Sequence, residues 1–277
     1  MITQRGSGVL AECELTPEQF ARITAMLYEH SGIRMREGKE GLVRARLAKR
    51  LRALRLPDFD AYLSRVESEP GRGEFAEMID VLTTNKTSFL REASHFDFLR
   101  DEVLPNLTGA VRIWSAGCSS GEEPYTLAML LNDALDGPAA HSARILATDI
   151  SHRVLATAKA GQYPTELMAD VPPTWLQRYW TRRVDGSRAY YEAGPSLRRL
   201  VHFAKLNLME KWPMQGPFDA ILCRNVMIYF DKGTQQRLVE RYHALLKLGG
   251  HLFVGHSESL TGLTHRFRYV KPAVYVK

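Results

Sequence analysis

The spacing of apolar residues changes character about a third of the way along the chain. Up to about Leu82 it is helical. A first helix spans residues 16 to 30, where Thr16 caps and Pro17 occupies the first turn. A second carries the stripe Val43, Leu47, Leu51 and Leu54, a third runs from about Asp58 to Ser68, and after a Pro70-Gly71 break a fourth reaches about Leu82. From Arg112 onward, short continuous apolar runs replace the stripes: RIWS, RILATD and FDAILC, each followed by a polar or glycine stop and then helical spacing. Strands alternating with helices predict a mainly parallel sheet covered on both faces, whose ligands lie outside the carboxyl ends of the strands. Residues 180 to 204 interrupt the alternation, and Asp185-Gly186 there signals a hairpin, so a small antiparallel insert is expected. The chain closes with HLFVGHSESL and RFRYVKPAVYVK, two or three strands with an antiparallel edge over 267 to 276; Gly249-Gly250 is expected to end the preceding helix.

The first strand leads into the most informative stretch, RIWSAGCSSGEEPYTLAMLL at 112 to 131. Gly117 and Gly121 permit a tight turn and close backbone approach, and Pro124 suits a helix's first turn. A ligand against free backbone amides is the expectation. The same loop spells G-x-S-x-G, a nucleophile elbow, and Ser119 with Asp219 and His256 has the order of a hydrolase triad. An elbow normally follows several strands, whereas this is the first strand of the α/β region, and no oxyanion segment precedes it. Asp149 ends the second strand, where a carboxylate accepts ribose hydroxyls in dinucleotide-binding folds, or else N-caps the next helix. Asn225 ends the third. Gly117, Asp149 and Asn225 therefore share one rim.

Three segments together, TTNKTSFLRE at 83 to 92, SAGCSSGEEPY at 115 to 125 and FDAILCRNVMIYFD at 218 to 231, resemble the chemotaxis receptor methyltransferases, the CheR family, and GHSES at 255 to 259 agrees. The likeness spans nearly the whole chain. It implies a Rossmann-like class I methyltransferase α/β sheet with a small antiparallel insert, preceded by an all-α domain: residues 1–82 helical and receptor-docking, 83–94 a linker closing over the cofactor, and 95–277 the methyltransferase domain. It implies methyl transfer from S-adenosylmethionine, leaving S-adenosylhomocysteine, to glutamate carboxylates on chemoreceptor cytoplasmic helices.

Residue by residue, the resemblance places Asn85, Thr87 and Arg91 over the methionine portion of the cofactor, with Arg91 also orienting the acceptor. It puts Glu123 near the methionyl ammonium, Asp149 on the ribose, Asn207, Leu208, Asn225 and Val226 around the adenosine, and Tyr229 beside the transfer site. Glu123 also suits a helix's first turn without any ligand, Arg91 has Glu92 and Asp97 as alternative partners, and Asn85, Asn207 and Asn225 suit turns and strand ends. Nucleic-acid amino methyltransferases carry an Asp/Asn-Pro-Pro-aromatic box where this chain reads CRNV, and Pro172-Pro173 reads as a helix start. The glycine spacing also fails the G-x-G-x-x-G of nicotinamide enzymes.

Composition narrows the setting. With 277 residues, 45% hydrophobic, the chain can bury one large core and one smaller one. Three cysteines, Cys13, Cys118 and Cys223, lack metal-ligand spacing, and the nine histidines form no paired-ligand motif, so neither disulfides nor a metal is expected. No signal peptide or span of about 20 apolar residues is evident. The expectation is a cytoplasmic monomer that meets the membrane only through its receptor.

Charge is concentrated between Arg34 and Arg55, where nine Lys or Arg face Glu37 and Glu40, a local +7 against +6 for the whole chain. On a helix Lys39, Arg46, Lys49 and Arg50 fall within an arc of about 100°. Such a face is commonly solvated, and a basic helix also suits nucleic acid, although no aromatic interleaving or nucleic-acid motif accompanies it. The resemblance favours docking to a glutamate-rich helical bundle. The insert binds a receptor tether in some relatives, but after Gly186 the glycine pattern of those members is not reproduced, so tethering is not expected.

Overall fold

The computed structural model describes residues 14–68, 73–135 and 142–277; Cys13 and the Pro70-Gly71 break lie outside them. The chain divides after Thr84 into two compact units.

The first unit is helical: α1 (Pro17–Ser31), α2 (Glu40–Leu54), α3 (Phe59–Ser68) and α4 (Gly73–Leu82). Thr16 starts α1 through a reciprocal capping box, its hydroxyl accepting from Gln19 N (3.2 Å) while Gln19 Oε1 accepts from Thr16 N (3.0 Å). Val43, Leu47 and Leu51 of the α2 stripe are buried, whereas Leu54 at its end is exposed.

The basic face of α2 divides in two. Arg50 makes a fork to the buried Glu74, Nε to Oε1 at 2.9 Å and Nη2 to Oε2 at 2.6 Å, and the Tyr62 hydroxyl donates to the same carboxylate. Burial, then the Glu74 charge, pushes the Tyr62 phenol up. Arg46 donates to the carbonyls of Leu82 (2.7 Å) and Thr83 (3.2 Å) and to the Thr84 hydroxyl (3.3 Å), securing the end of α4. These two arginines are internal ties, while Lys39 and Lys49 are exposed. Spacing alone could not separate the pairs, because all four share one arc and only the fold supplies Glu74.

The second unit is built on a seven-stranded sheet in the order β6-β2-β1-β7-β8-β10-β9. Its members are β1 (Arg112–Ala116), β2 (Arg144–Asp149), β6 (Val201–Lys205), β7 (Phe218–Cys223), β8 (Leu246–Val254), β9 (Arg268–Lys271) and β10 (Val274–Val276). The first five pair in parallel; at one edge β10 is antiparallel to β8, and β9 is antiparallel to β10. After α5 (Ser94–Phe98), helices α6 (Glu122–Ala134), α7 (His152–Ala160) and α10 (Lys232–Leu245) follow β1, β2 and β7, with α8 (Pro173–Tyr179) and α9 (Pro195–Leu200) between α7 and α10. Buried residues on the sheet form two main apolar clusters, one including Ile113, Leu127 and Ile145, the other Trp114, Ile221 and Tyr242.

Two expectations need correction. The antiparallel insert is three-stranded, β3 (Gln162–Pro164), β5 (Arg188–Ala193) and β4 (Trp180–Asp185) in that order, so it starts earlier than residue 180. It also ends sooner, because Val201 to Lys205 pair in parallel with Ile145 to Asp149 as β6. The hairpin signal at Asp185-Gly186 was local, whereas the pairing of Tyr163 with Tyr191 joins distant segments. Second, Gly249-Gly250 lie inside β8 rather than ending α10, which stops at Leu245 as Leu246 turns extended. Gly249, at φ 77°, sits where the β7–β8 register shifts.

Removing the carboxylate from Glu74→Ala leaves Arg50 and Tyr62 without their shared partner. The helical unit should lose about 2–3 kcal/mol, read as faster global-limit amide exchange within residues 17–82 than in the parent chain.

Candidate active site

The loop after β1 is held by its own backbone. Gly117 N and Cys118 N both donate to the Thr148 carbonyl at 2.8 and 2.9 Å, Ser119 N to Asp149 Oδ2 at 2.9 Å, and Gly121 N to the Cys118 carbonyl at 3.1 Å. The expected row of free amides is therefore largely tied within the chain. What the glycines supply is approach: at Gly117 (φ +89°) a Cβ would lie 2.4 Å from Val226 Cγ2, and at Gly121 (φ +99°) 2.6 Å from the Tyr163 hydroxyl. Asp149 anchors the loop and also accepts from Ser151 N (3.0 Å), but the helix cap itself is Ser151, whose hydroxyl receives Val154 N.

A buried guanidinium lies at the end of β7. Arg224 donates through Nη1 to Glu123 Oε2 (3.0 Å), and through Nη2 to Glu92 Oε2 (3.1 Å) and to the carbonyl of Arg91. Its ring-facing side lies over Phe96. Glu123 Oε1 accepts from the Ser115 hydroxyl at 2.7 Å. Glu92 Oε1 accepts from the Asn225 amide and from His256 N, each at 3.2 Å. One step on, the buried Glu258 gathers the backbone amides of Asn225 (2.7 Å), Ile228 (3.0 Å) and Gly255. This holds Asn225 in the left-handed region, φ 59°. Leu90 (φ 54°) and Glu92 (φ 57°) are left-handed as well, so Arg91 projects from a kink, with its own Nη1 donating to the Lys86 carbonyl at 2.8 Å.

The residues expected around the adenosine come from other stretches of the chain. Asn207 and Leu208 are buried just beyond β6, and the Asn207 Oδ1 accepts from Met209 N at 3.0 Å. Arg241 on α10 braces this loop, donating to the carbonyls of Leu208 (2.7 Å) and Glu210 (2.6 Å) while its guanidinium lies 3.6 Å from the Trp212 ring centroid. Val226 and Tyr229 follow Asn225, Tyr229 within a short 3₁₀ turn, Met227–Tyr229. Asn85 is joined to the loop by the Ser119 hydroxyl, which donates to its carbonyl at 3.0 Å, and Thr87 is half-buried. Thus Asn85, Thr87, Arg91, Gly117, Glu123, Asp149, Asn207, Leu208, Asn225, Val226 and Tyr229 all belong to segments at the strand ends of one unit. Sequence reasoning missed Glu92, Arg224 and Glu258. The strings FLRE, CRN and GHSE contain them, but no spacing rule links residues so far apart.

The hydrolase alternative does not assemble. Ser119 donates to Asn85, Asp219 is held by Lys247 Nζ (2.6 Å) and Arg112 N (2.7 Å), and His256 Nε2 contacts the Ser94 hydroxyl at 3.3 Å. Glu92, His95 and His256 bring possible metal-ligand atoms within 4.8 Å of one another, but Arg224 already engages that carboxylate.

Electrostatics give the rim its character. Burial would raise Glu92, but the Arg224 charge and the hydrogen bonds from His256, Asn225 and Arg224 outweigh it and hold this carboxyl below its usual range. Burial raises Glu123 in spite of Arg224, and it raises Glu258 in spite of backbone donors at Gly255, Asn225, Ile228 and Met227. Two carboxylates, Glu92 and Glu123, thus pair with one buried guanidinium, while Asp149 and Glu258 on the same rim accept from backbone N–H groups. Such a rim favours a cationic ligand with hydroxyls, which fits a molecule carrying sulfonium, ammonium and ribose groups.

Two family models match in succession: "CheR methyltransferase, all-alpha domain" over residues 18–83 and "CheR methyltransferase, SAM binding domain" over residues 85–276. The chain belongs to the CheR methyltransferase family. A chemotaxis protein methyltransferase of Escherichia coli is 43% identical over 94% of this chain and 91% of its own length. One from Borreliella burgdorferi is 38% identical over 95% of each chain, and chemotaxis protein methyltransferase 2 of Pseudomonas aeruginosa is 42% identical over 95% and 94%. As a CheR methyltransferase, the chain is an S-adenosylmethionine-dependent enzyme whose second unit is the cofactor-binding domain.

Two outcomes follow from this geometry. Gly117→Ala drives a methyl group into Val226, so affinity for S-adenosylmethionine should fall at least about tenfold by calorimetry, whereas Gly41→Ala, with open space around it, should leave affinity intact. His95, buried and beside Arg224, is pushed down to about 3. Its native state therefore stays neutral while the unfolded chain takes up a proton below about 6.5, so its contribution is full above that pH and is lost as pH falls towards 3. The unfolding free energy of the second unit should drop by up to about 1.4 kcal/mol per pH unit from this group in that window, and His95→Phe should flatten the slope by about one proton.

Proposed function

We propose that this CheR methyltransferase transfers the methyl group of S-adenosylmethionine to glutamate side chains on the cytoplasmic helices of chemoreceptors, forming methyl esters for sensory adaptation. The observation that carries the reading is the convergence of Arg91, Glu123, Asp149, Asn225 and Tyr229 at the strand ends of a CheR cofactor-binding domain, on a rim rich in carboxylate. When bound, the cofactor supplies an electrophilic methyl on a positively charged sulfur.

The chain's part is placement. An acceptor glutamate, with an ordinary pKa of about 4.3, is ionised at neutral pH and needs no general base. Catalysis then rests on aligning the carboxylate with the methyl and on excluding water around charges that neutralise one another. Arg91, projecting from its kink, orients the acceptor carboxylate, and Tyr229 borders the same spot. Asp149 receives the ribose hydroxyls, and Glu123 faces the ammonium. Asn85 and Thr87 close over the methionine portion, and Asn207, Leu208, Asn225 and Val226 enclose the adenosine. On the helical unit, the exposed Lys39 and Lys49 supply attraction towards an acidic receptor helix; Arg46 and Arg50 contribute charge from fixed positions. The enzyme acts in the cytoplasm and reaches the membrane through its receptor; among the described residues no helix is long and apolar enough to cross a membrane.

The test is transfer from methyl-labelled S-adenosylmethionine to receptor-containing membranes, read as methanol released from the receptor band by mild base. Release should occur, fall at least about a hundredfold in Arg91→Ala, and persist with weakened cofactor affinity in Asp149→Ala. Cofactor binding without release would favour an adaptor that keeps the pocket but not the reaction.

A further inference from the structure

Arg91 owes its position to neighbours rather than to itself. It lies between two left-handed residues, Leu90 and Glu92, a conformation that ordinary side chains adopt at a cost and keep only where the surroundings impose it. On one side the hold is mainly apolar: Leu90 N donates to the Thr126 hydroxyl at 3.2 Å, and the preceding Phe89 is buried against Tyr163 and Trp180. On the other it is polar and runs through one guanidinium. Arg224 takes the Arg91 carbonyl and Glu92 Oε2 with the same nitrogen, and Asn225 and His256 N complete the Glu92 shell. The other arm of Arg224 ends on Glu123, at the first turn of α6, which the Ser115 hydroxyl fixes from β1.

The guanidinium therefore joins the segment that carries Arg91 to the residue expected at the cofactor's ammonium. It is buried to 6% exposure and its Nε has no hydrogen-bond partner among the described residues. A cation buried with one donor unused is costly as a purely structural device. A planar fork spanning two carboxylates and a carbonyl suits a different task, fixing the separation between them.

We infer that Arg224 is a positioning residue for methyl transfer: it locks the kink at Arg91 to Glu123, so that the acceptor-orienting guanidinium and the cofactor's amino end are held at one fixed spacing. The inference rests on the proposed role of Arg91. A lysine at this position keeps the charge but cannot reach three acceptors with a rigid fork, so Arg224→Lys separates geometry from charge.

In the full-length Arg224→Lys protein, kcat should fall at least about tenfold while Kd for S-adenosylmethionine and KM for receptor membranes change less than about threefold. In an Arg91→Ala background the same substitution should add no further loss beyond about twofold, because the interaction it disturbs is already gone. Amide exchange at Arg91 and Glu92, which needs no transfer activity, should rise in the single variant. Equal losses in both backgrounds, or unchanged kcat and exchange, would overturn the inference while leaving the proposed function standing. Full kcat in Arg91→Ala would instead remove the role of Arg91 and the inference with it. Should Arg224→Lys fail to fold, Glu92→Gln, which keeps the hydrogen-bonding shape and removes one charge, is read by the same four measurements with the same outcomes.

Discussion

A single buried cation, Arg224, ties together the parts of this site that come from distant stretches of chain. It touches Glu92 and Arg91 before the sheet, Glu123 at the first helix after β1, and Phe96, while itself extending from the end of β7. Without it Glu92 and Glu123 would be two half-buried carboxylates facing a third, Glu258, across Asn225. Mutual repulsion and burial would then push these groups towards neutrality. With it, Glu92 is held ionised and orders the backbone of His256, and the left-handed turns at Leu90, Glu92 and Asn225 are each pinned by a named hydrogen bond or its immediate neighbour.

The charge imbalance that remains is functional in sign. Arg224 offsets the charge of Glu92 and Glu123, and the Asp149 carboxylate at the end of β2 adds negative charge to the same rim, which suits a positively charged adenosine derivative. Loop amides play a smaller part than in phosphate-binding folds, because Thr148, Asp149 and Cys118 already accept them. This agrees with the ligand class: a sulfonium nucleoside needs carboxylates and apolar walls, whereas a phosphate needs free N–H groups.

Much of this was legible in the sequence wherever the signal was local. Strand-length apolar runs ending at Ser115, Asp149 and Cys223 became adjacent parallel strands, and Thr16-Pro17 started its helix as written. Non-local pairing was not legible. Tyr163 joins the insert only because Tyr191 lies opposite, and residues 201–205 enter the main sheet because β2 presents a free edge to them. At Gly249-Gly250 a helix-ending signal proved to mark a register shift inside β8, two local roles for the same backbone freedom that only strand pairing can distinguish. Arg224 stayed hidden for the same reason: an arginine after a strand carries no mark of the carboxylates that meet it. Arg46 and Arg50 show the converse, charges that read as a surface face until Glu74 and the α4 carbonyls claim them.

Methylation of receptor glutamate carboxylates at this site is read out by incubating the enzyme with trideuteromethyl S-adenosylmethionine and receptor membranes and mapping the label by tandem mass spectrometry. The heavy methyl should lie on glutamate side chains of the receptor's cytoplasmic helices and be lost on mild base treatment. Label confined to lysine, cysteine or nucleic acid, or none on the receptor despite cofactor binding, would contradict it.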